Sequence, residues 1–152
     1  MTRSKRMRPV VNVAASKEQE AARLLGECQR EVDLREARLH ELLAYQTEYA
    51  ARFETSGGDG LDMARLQDYR VFLARLNEAI ALQRRLVEAA RLDCEAKKNA
   101  WLGTRQHAQA IDKVVDRFRR DEVRAQGRRE QAETDERAQQ SRAARDPKSH
   151  DS

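Results

Sequence analysis

The chain has 152 residues, of which 39% are apolar, 37% charged and only 5% aromatic, too little apolar bulk to fill the interior of an ordinary globular domain of this length. Its 30 basic and 26 acidic residues leave a formal charge of +4. The two signs are interleaved along most of the chain, which gives a mixed surface and does not imply nucleic-acid binding.

Residues 1–8 contain Arg3, Lys5, Arg6 and Arg8 and are expected to form a basic, flexible N-terminus. A solvated tail is the plain reading, and contact with anionic lipid or RNA is the functional alternative. This basic start is not followed by a hydrophobic signal core, and no apolar run reaches the roughly 18 to 20 residues that a transmembrane helix needs. A cytoplasmic protein is expected.

With six glycines and two prolines in all, long stretches of Ala, Leu, Glu, Gln and Arg run unbroken, which is the composition of long helices. A first helix is predicted over about 9–54. From Leu25 the apolar steps alternate three and four through Cys28, Val32, Leu39 and Leu42 to Tyr49 and Phe53, with the mean spacing of a heptad. The rhythm extends back through Ala21 and Ala14 to Val11, with Pro9 suited to the first turn. Ser16-Lys17-Glu18-Gln19 reads as a capping box and offers an alternative start.

Thr55-Ser56-Gly57-Gly58-Asp59-Gly60 ends the pattern, since clustered glycines supply the positive φ values of a helix end and reversal. This segment, 55–60, is predicted to be the tip of a hairpin. A second helix follows over about 61–138, with seam residues from Leu66, Tyr69, Leu73, Leu76 and Ile80 through Val87, Cys94 and Trp101 to Ile111, Val115 and Phe118. Past Phe118 the seam turns polar at Glu122 and Arg129, so the end of this helix is expected to overhang as a bare charged rod. The hairpin as a whole is placed at 9–140, and 141–152, with Pro147, is expected to be a disordered tail.

Antiparallel pairing about this tip places opposite each other residues whose numbers sum to about 115, with Glu18 against Lys97 and Ala14 against Trp101. A slip of one heptad would bring Cys28 opposite Cys94 instead. The polar seam residues Arg35, Gln46 and Gln83 either fix register or face a partner. Cys28 and Cys94 have no CxxC spacing and are read as reduced packing residues.

Two paired helices offer no concave pocket in which catalytic groups could converge. No phosphate loop, dinucleotide fingerprint or HExxH pair is present, and His40, His107 and His150 stand singly. No enzyme activity, cofactor or metal is expected. One flank of the tip half is apolar and aromatic, because Tyr45, Phe72, Ala79 and Leu86 share heptad position g. The other flank carries Arg70, Asn77, Arg84 and Arg91. Such a stripe either binds a protein partner or broadens the hairpin's own core.

Several segments resemble the flagellar export family called FliJ and its injectisome relatives, the YscO-type proteins. They are Ala21-Ala22-Arg23-Leu24-Leu25-Gly26-Glu27, Leu42-Leu43-Ala44-Tyr45-Gln46-Thr47-Glu48-Tyr49, and Tyr69-Arg70-Val71-Phe72-Leu73 with Leu76, Ala79 and Gln83. Trp101 resembles the family's mid-helix tryptophan, and Arg129-Glu130-Gln131 with Asp135-Glu136 its charged C-terminal signature. Val114-Val115-Asp116-Arg117 departs from the family's Leu-rich segment.

The resemblance implies an all-α antiparallel coiled-coil hairpin similar to the central stalk of rotary ATPases. It also implies a non-enzymatic role in type III export: binding the hexameric export ATPase, linking it to the export gate, and escorting export chaperones. Association with the inner membrane would be peripheral, through the export apparatus. By the same resemblance Leu42, Tyr45, Tyr49, Phe72, Leu76, Ala79 and Gln83 would face the gate's cytoplasmic domain. Arg129, Glu130, Gln131, Asp135 and Glu136 are the candidates for the ATPase. An injectisome stalk and a self-associating structural coiled coil are the alternatives.

Overall fold

The computed structural model describes residues 1–56 and 62–145. Three helices account for nearly all of them: α1 (Arg3–Arg6), α2 (Arg8–Ser56) and α3 (Met63–Arg145). No strand occurs among the described residues. The two long helices pack against each other as an all-α antiparallel coiled coil. The glycines of the expected tip, Gly57, Gly58 and Gly60, lie outside the described residues.

Local chemistry explains the helix ends. The Thr2 side chain caps α1 by accepting the Lys5 amide at 3.4 Å, and Pro9 stands in the first turn of α2, where its missing N–H is harmless. Asp62 caps α3: its carboxylate accepts the Ala64 amide at 3.3 Å and its carbonyl the Leu66 amide at 3.1 Å. The segment expected to be a flexible N-terminus thus holds a helical turn. α3 runs past 138 into the expected tail as far as Arg145, since Ser141, Arg142, Ala143, Ala144 and Arg145 include no helix breaker. The remainder, 146–152, lies outside the described residues.

The chain divides into two compact units, to both of which α2 and α3 contribute. One comprises Lys17–Arg105. Its buried seam is Leu76, Ile80 and Val87, flanked by half-buried Leu25, Val32, Leu39 and Leu73. Polar groups cross the seam. The Gln46 amide donates to Asn77 Oδ1 at 2.7 Å, and the Gln83 amide to the Arg35 carbonyl at 3.0 Å. Arg91 donates to Glu36 at 2.7 Å, and the Cys28 thiol to Asp93 Oδ2 at 2.9 Å.

These pairs correct the register. Their residue numbers sum to about 118 to 127, not to about 115, so the helices sit near the slipped alternative that brings Cys28 toward Cys94. Sliding by a heptad leaves the apolar rows facing each other, so periodicity alone does not separate the two registers. The helix ends do: α2 stops two residues later than 54, at Ser56, and α3 starts two residues later than 61, at Met63. Lys97 accordingly lies 3.9 Å from Asp93 on its own helix. The two thiols are free and half-buried. The hydrogen bond to Asp93, with burial second, pushes the Cys28 thiol up to about 11.

The other unit joins Met1–Ser16 to the chain from Gln106 onward. Ala14, Ile111 and Val115 form its core, with Met7, Val11 and Ala108 packed around them. Ala14 therefore meets Ile111 and Val115 rather than Trp101, as the shifted register requires. α1 is clasped to α3: Glu122 accepts the Ser4 amide at 2.9 Å and its hydroxyl at 2.7 Å, and the Arg3 guanidinium lies 5.6 Å from the Phe118 ring centre. From Gln126 to Arg145 every residue is exposed. Contacts one turn apart, such as Gln126 to Glu130 and Gln131 to Asp135, both 3.1 Å, support that stretch.

Two outcomes are expected. Ile80→Ala, at a site 6% exposed, should lower stability by about 2–4 kcal/mol in urea denaturation followed by helical circular dichroism, while Val123→Ala should change it by less than about 0.5 kcal/mol. The hydrogen bonds from the Ser4 amide and hydroxyl hold the Glu122 carboxyl below its ordinary 4.5. The stabilisation they give is therefore complete above that pH and is lost as pH falls through the lower folded value. Protection of the Ser4 and Lys5 amides, measured as exchange relative to the unstructured chain at the same pH, should be present at neutral pH and lost in acid, or at any pH in Glu122→Ala.

Candidate protein-docking site

Five of the seven aromatic residues gather at one place in the Lys17–Arg105 unit. Tyr45, Tyr49 and Phe53 recur every four residues along α2, which puts them on one face, and Tyr69 and Phe72 meet them from α3. The Phe53 and Tyr69 rings stack at 3.7 Å and the Tyr49 and Tyr69 rings at 5.5 Å. Phe72 lies 4.2 Å from Tyr49 and meets Tyr45 edge-on at 5.8 Å. Contacts of this kind add about 0.5–1.5 kcal/mol each beyond the area they bury.

The seven residues expected to face a gate take three different positions. Tyr45 is 46% exposed and Ala79 is exposed. Leu42, Tyr49 and Phe72 are half-buried, with their aromatic members in the stack. Leu76 is buried in the seam at 7%, and the Gln83 amide is engaged by the Arg35 carbonyl. The seam thus closes Leu76 to a partner, and half-buried Gln83 spends its amide across the seam. Exposed Val71 and Leu82, at 44% and 51%, are further apolar surface on α3 in this unit. Phe53 and Tyr69, expected in the seam, do meet across the two helices, and the four-residue spacing of Tyr45, Tyr49 and Phe53 signalled the rest of the stack.

The opposite flank is polar, with Arg70, Asn77, Arg84 and Arg91 exposed; Asn77 and Arg91 are held by Gln46 and Glu36 across the seam. In the other unit Arg129, Glu130, Gln131, Asp135 and Glu136 are all exposed. Gln131 donates to Asp135, and Glu130 accepts from Gln126 through its carboxylate and from Thr134 through its carbonyl. Among the described residues no polar or charged side chain is buried, and no three His, Cys, Asp or Glu converge as a metal site would need.

Long paired helices, an exposed apolar edge on an aromatic stack, and a solvated charged helix define the class as an all-α coiled-coil protein with two exposed surfaces of different chemistry. The sequence model of the flagellar FliJ protein matches residues 3–146, and the chain belongs to the FliJ family. It is similar to the flagellar FliJ protein of Salmonella typhi, at 30% identity over 128 residues covering 84% of this chain and 87% of that one. Similarity to the flagellar FliJ protein of Escherichia coli (strain K12) is 29% over the same shares. No solved structure matches the chain. Membership makes it a component of flagellar protein export.

The burial pattern separates packing from surface. Phe72→Ala should cost about 2–3 kcal/mol by thermal denaturation, whereas Tyr45→Ala, which truncates a ring already half in solvent, should cost under about 1 kcal/mol.

Proposed function

We propose that the protein is a non-enzymatic, stalk-like part of the export machinery that binds other proteins at two places. The edge built from Leu42, Tyr45, Tyr49, Phe72 and Ala79 meets the cytoplasmic domain of the export gate. The charged helix with Arg129, Glu130, Gln131, Asp135 and Glu136 meets the hexameric export ATPase, promoting its assembly and activity. Escort of export chaperones belongs to the same proposal, as does a cytoplasmic location at the inner-membrane export apparatus. Among the described residues, no helix is long and apolar enough to cross a membrane.

The observation that carries the gate assignment is that Tyr45 remains 46% exposed at the edge of an ordered stack in which Phe72 and Tyr49 fix its ring. A rigid, half-solvated aromatic is the kind of side chain that dominates protein interfaces, because ordering it on binding costs little entropy. The ATPase assignment draws on the exposure of all five C-terminal residues and on their intrahelical bonds, which keep a lone helix straight enough to present them. ATP would be hydrolysed by the partner, with this chain shifting the populations of its subunit conformations through differential contacts.

The test is ATP hydrolysis by the flagellar export ATPase with and without this protein, run beside binding to the purified gate domain. Stimulated hydrolysis is expected, abolished by Arg129→Glu with Asp135→Arg. Tyr45→Ala should weaken gate binding about tenfold or more with hydrolysis unaffected. Unchanged hydrolysis on adding the protein would remove the ATPase role, and gate binding indifferent to Tyr45→Ala would remove the gate face.

A further inference from the structure

We propose that one face of the N-terminal helical segment is a contact surface for an anionic phospholipid bilayer, formed by Arg3, Arg6, Val10 and Val13. Met1–Ser16 contains four basic residues and no acidic one. Residues 113–129 of α3 are positive as well, with seven basic against three acidic residues, but there the two signs are interleaved. A basic run with no acidic residue within it attracts a negatively charged surface.

Geometry turns the local charge into a face. Met7 joins α1 to α2 with right-handed helical backbone (φ −78°, ψ −11°), and the Val11 amide donates to its carbonyl at 2.9 Å. Helical spacing therefore carries through the junction. Ser4, Met7, Val11 and Ala14 turn toward α3, where Ser4 is bonded to Glu122 and the others pack around Ile111 and Val115. Arg3, Arg6, Val10 and Val13 recur at three- and four-residue steps and share the neighbouring flank. Both arginines are exposed, and Val10 and Val13 are 43% and 55% exposed.

Guanidinium groups alternating with short aliphatic side chains suit the headgroup boundary of a bilayer, where the cations meet lipid phosphates and the valines enter the acyl edge. A single-stranded nucleic acid would instead call for aromatic platforms, and Met1–Ser16 contains no aromatic residue. The clasp on Glu122 has a part in this reading, because it holds α1 in line with α2 so that arginines and valines lie in one stripe.

The experiment is co-sedimentation of the full chain with phosphatidylcholine vesicles containing about a quarter phosphatidylglycerol, and with phosphatidylcholine alone, in salt raised from about 0.05 to about 0.5 M. Binding only to the anionic vesicles, lost at high salt, is expected. Arg3→Gln with Arg6→Gln should weaken it roughly 30-fold, and Val10→Ser with Val13→Ser should weaken it while its salt dependence persists. Circular dichroism should show unchanged helicity in both. Equal binding to neutral vesicles, full binding by the double arginine variant, or an equal loss in Arg128→Gln with Arg129→Gln would overturn the proposal. Retention of single-stranded RNA without retention of anionic vesicles would also overturn it.

Discussion

In each of the two units a pair of helices meets along a seam only one or two side chains wide, and everything else in this protein follows from how little that seam can bury. Six residues are buried among those described: Ala14, Leu76, Ile80, Val87, Ile111 and Val115. No third layer covers the backs of the helices, so their outer faces must be soluble on their own account. Interleaved Arg and Glu provide this, in short intrahelical pairs such as Arg52 with Glu48 and Arg35 with Glu31, both 2.7 Å. Exposed pairs of this kind contribute only tenths of a kcal/mol each, so the seam carries the fold.

A narrow seam also makes its polar members matter. In a thick core Gln46 and Gln83 would be liabilities; here each finds a partner across the helices, Asn77 in one case and the Arg35 carbonyl in the other. An apolar heptad row tolerates a slip of seven residues, but these amides would lose their partners in it, at about 0.5–1.5 kcal/mol for each hydrogen bond exchanged for water. They fix alignment more than they add stability. The Cys28 to Asp93 contact belongs to the same set, and it holds the thiol in its protonated, unreactive form.

Function uses the surplus that the seam cannot hide. Where five aromatic residues crowd one place, two helices cannot enclose them all, and the outermost ring, Tyr45, stands 46% exposed but is fixed by Phe72 and Tyr49. At the other extreme, α3 is exposed at every residue from Gln126 to Arg145 and remains helical through propensity and one-turn side-chain bonds. A preordered apolar edge and a solvated charged helix are surfaces of opposite chemistry, as the two proposed contacts require.

The sequence by itself determined that this is a chain of long helices paired along a heptad seam, because periodicity, the scarcity of glycine and proline, and the lack of aromatic bulk all act locally. It also disclosed the apolar flank at Tyr45, Phe72 and Ala79, since heptad position assigns a face. Which turn of α3 opposes a given turn of α2 was decided only by the tertiary structure, because every heptad offers the same apolar row and only the helix ends at Ser56 and Met63 and the cross-helix amides distinguish them. The same holds for the burial of Leu76 behind the aromatic stack, and for the docking of Arg3–Arg6, which the basic composition of residues 1–8 concealed. Each of these depends on a partner more than 25 residues away in the chain, the Gln46 to Asn77 pair being separated by 31 and the Ser4 to Glu122 pair by 118. Contacts at such separation leave no periodic trace in either segment that makes them.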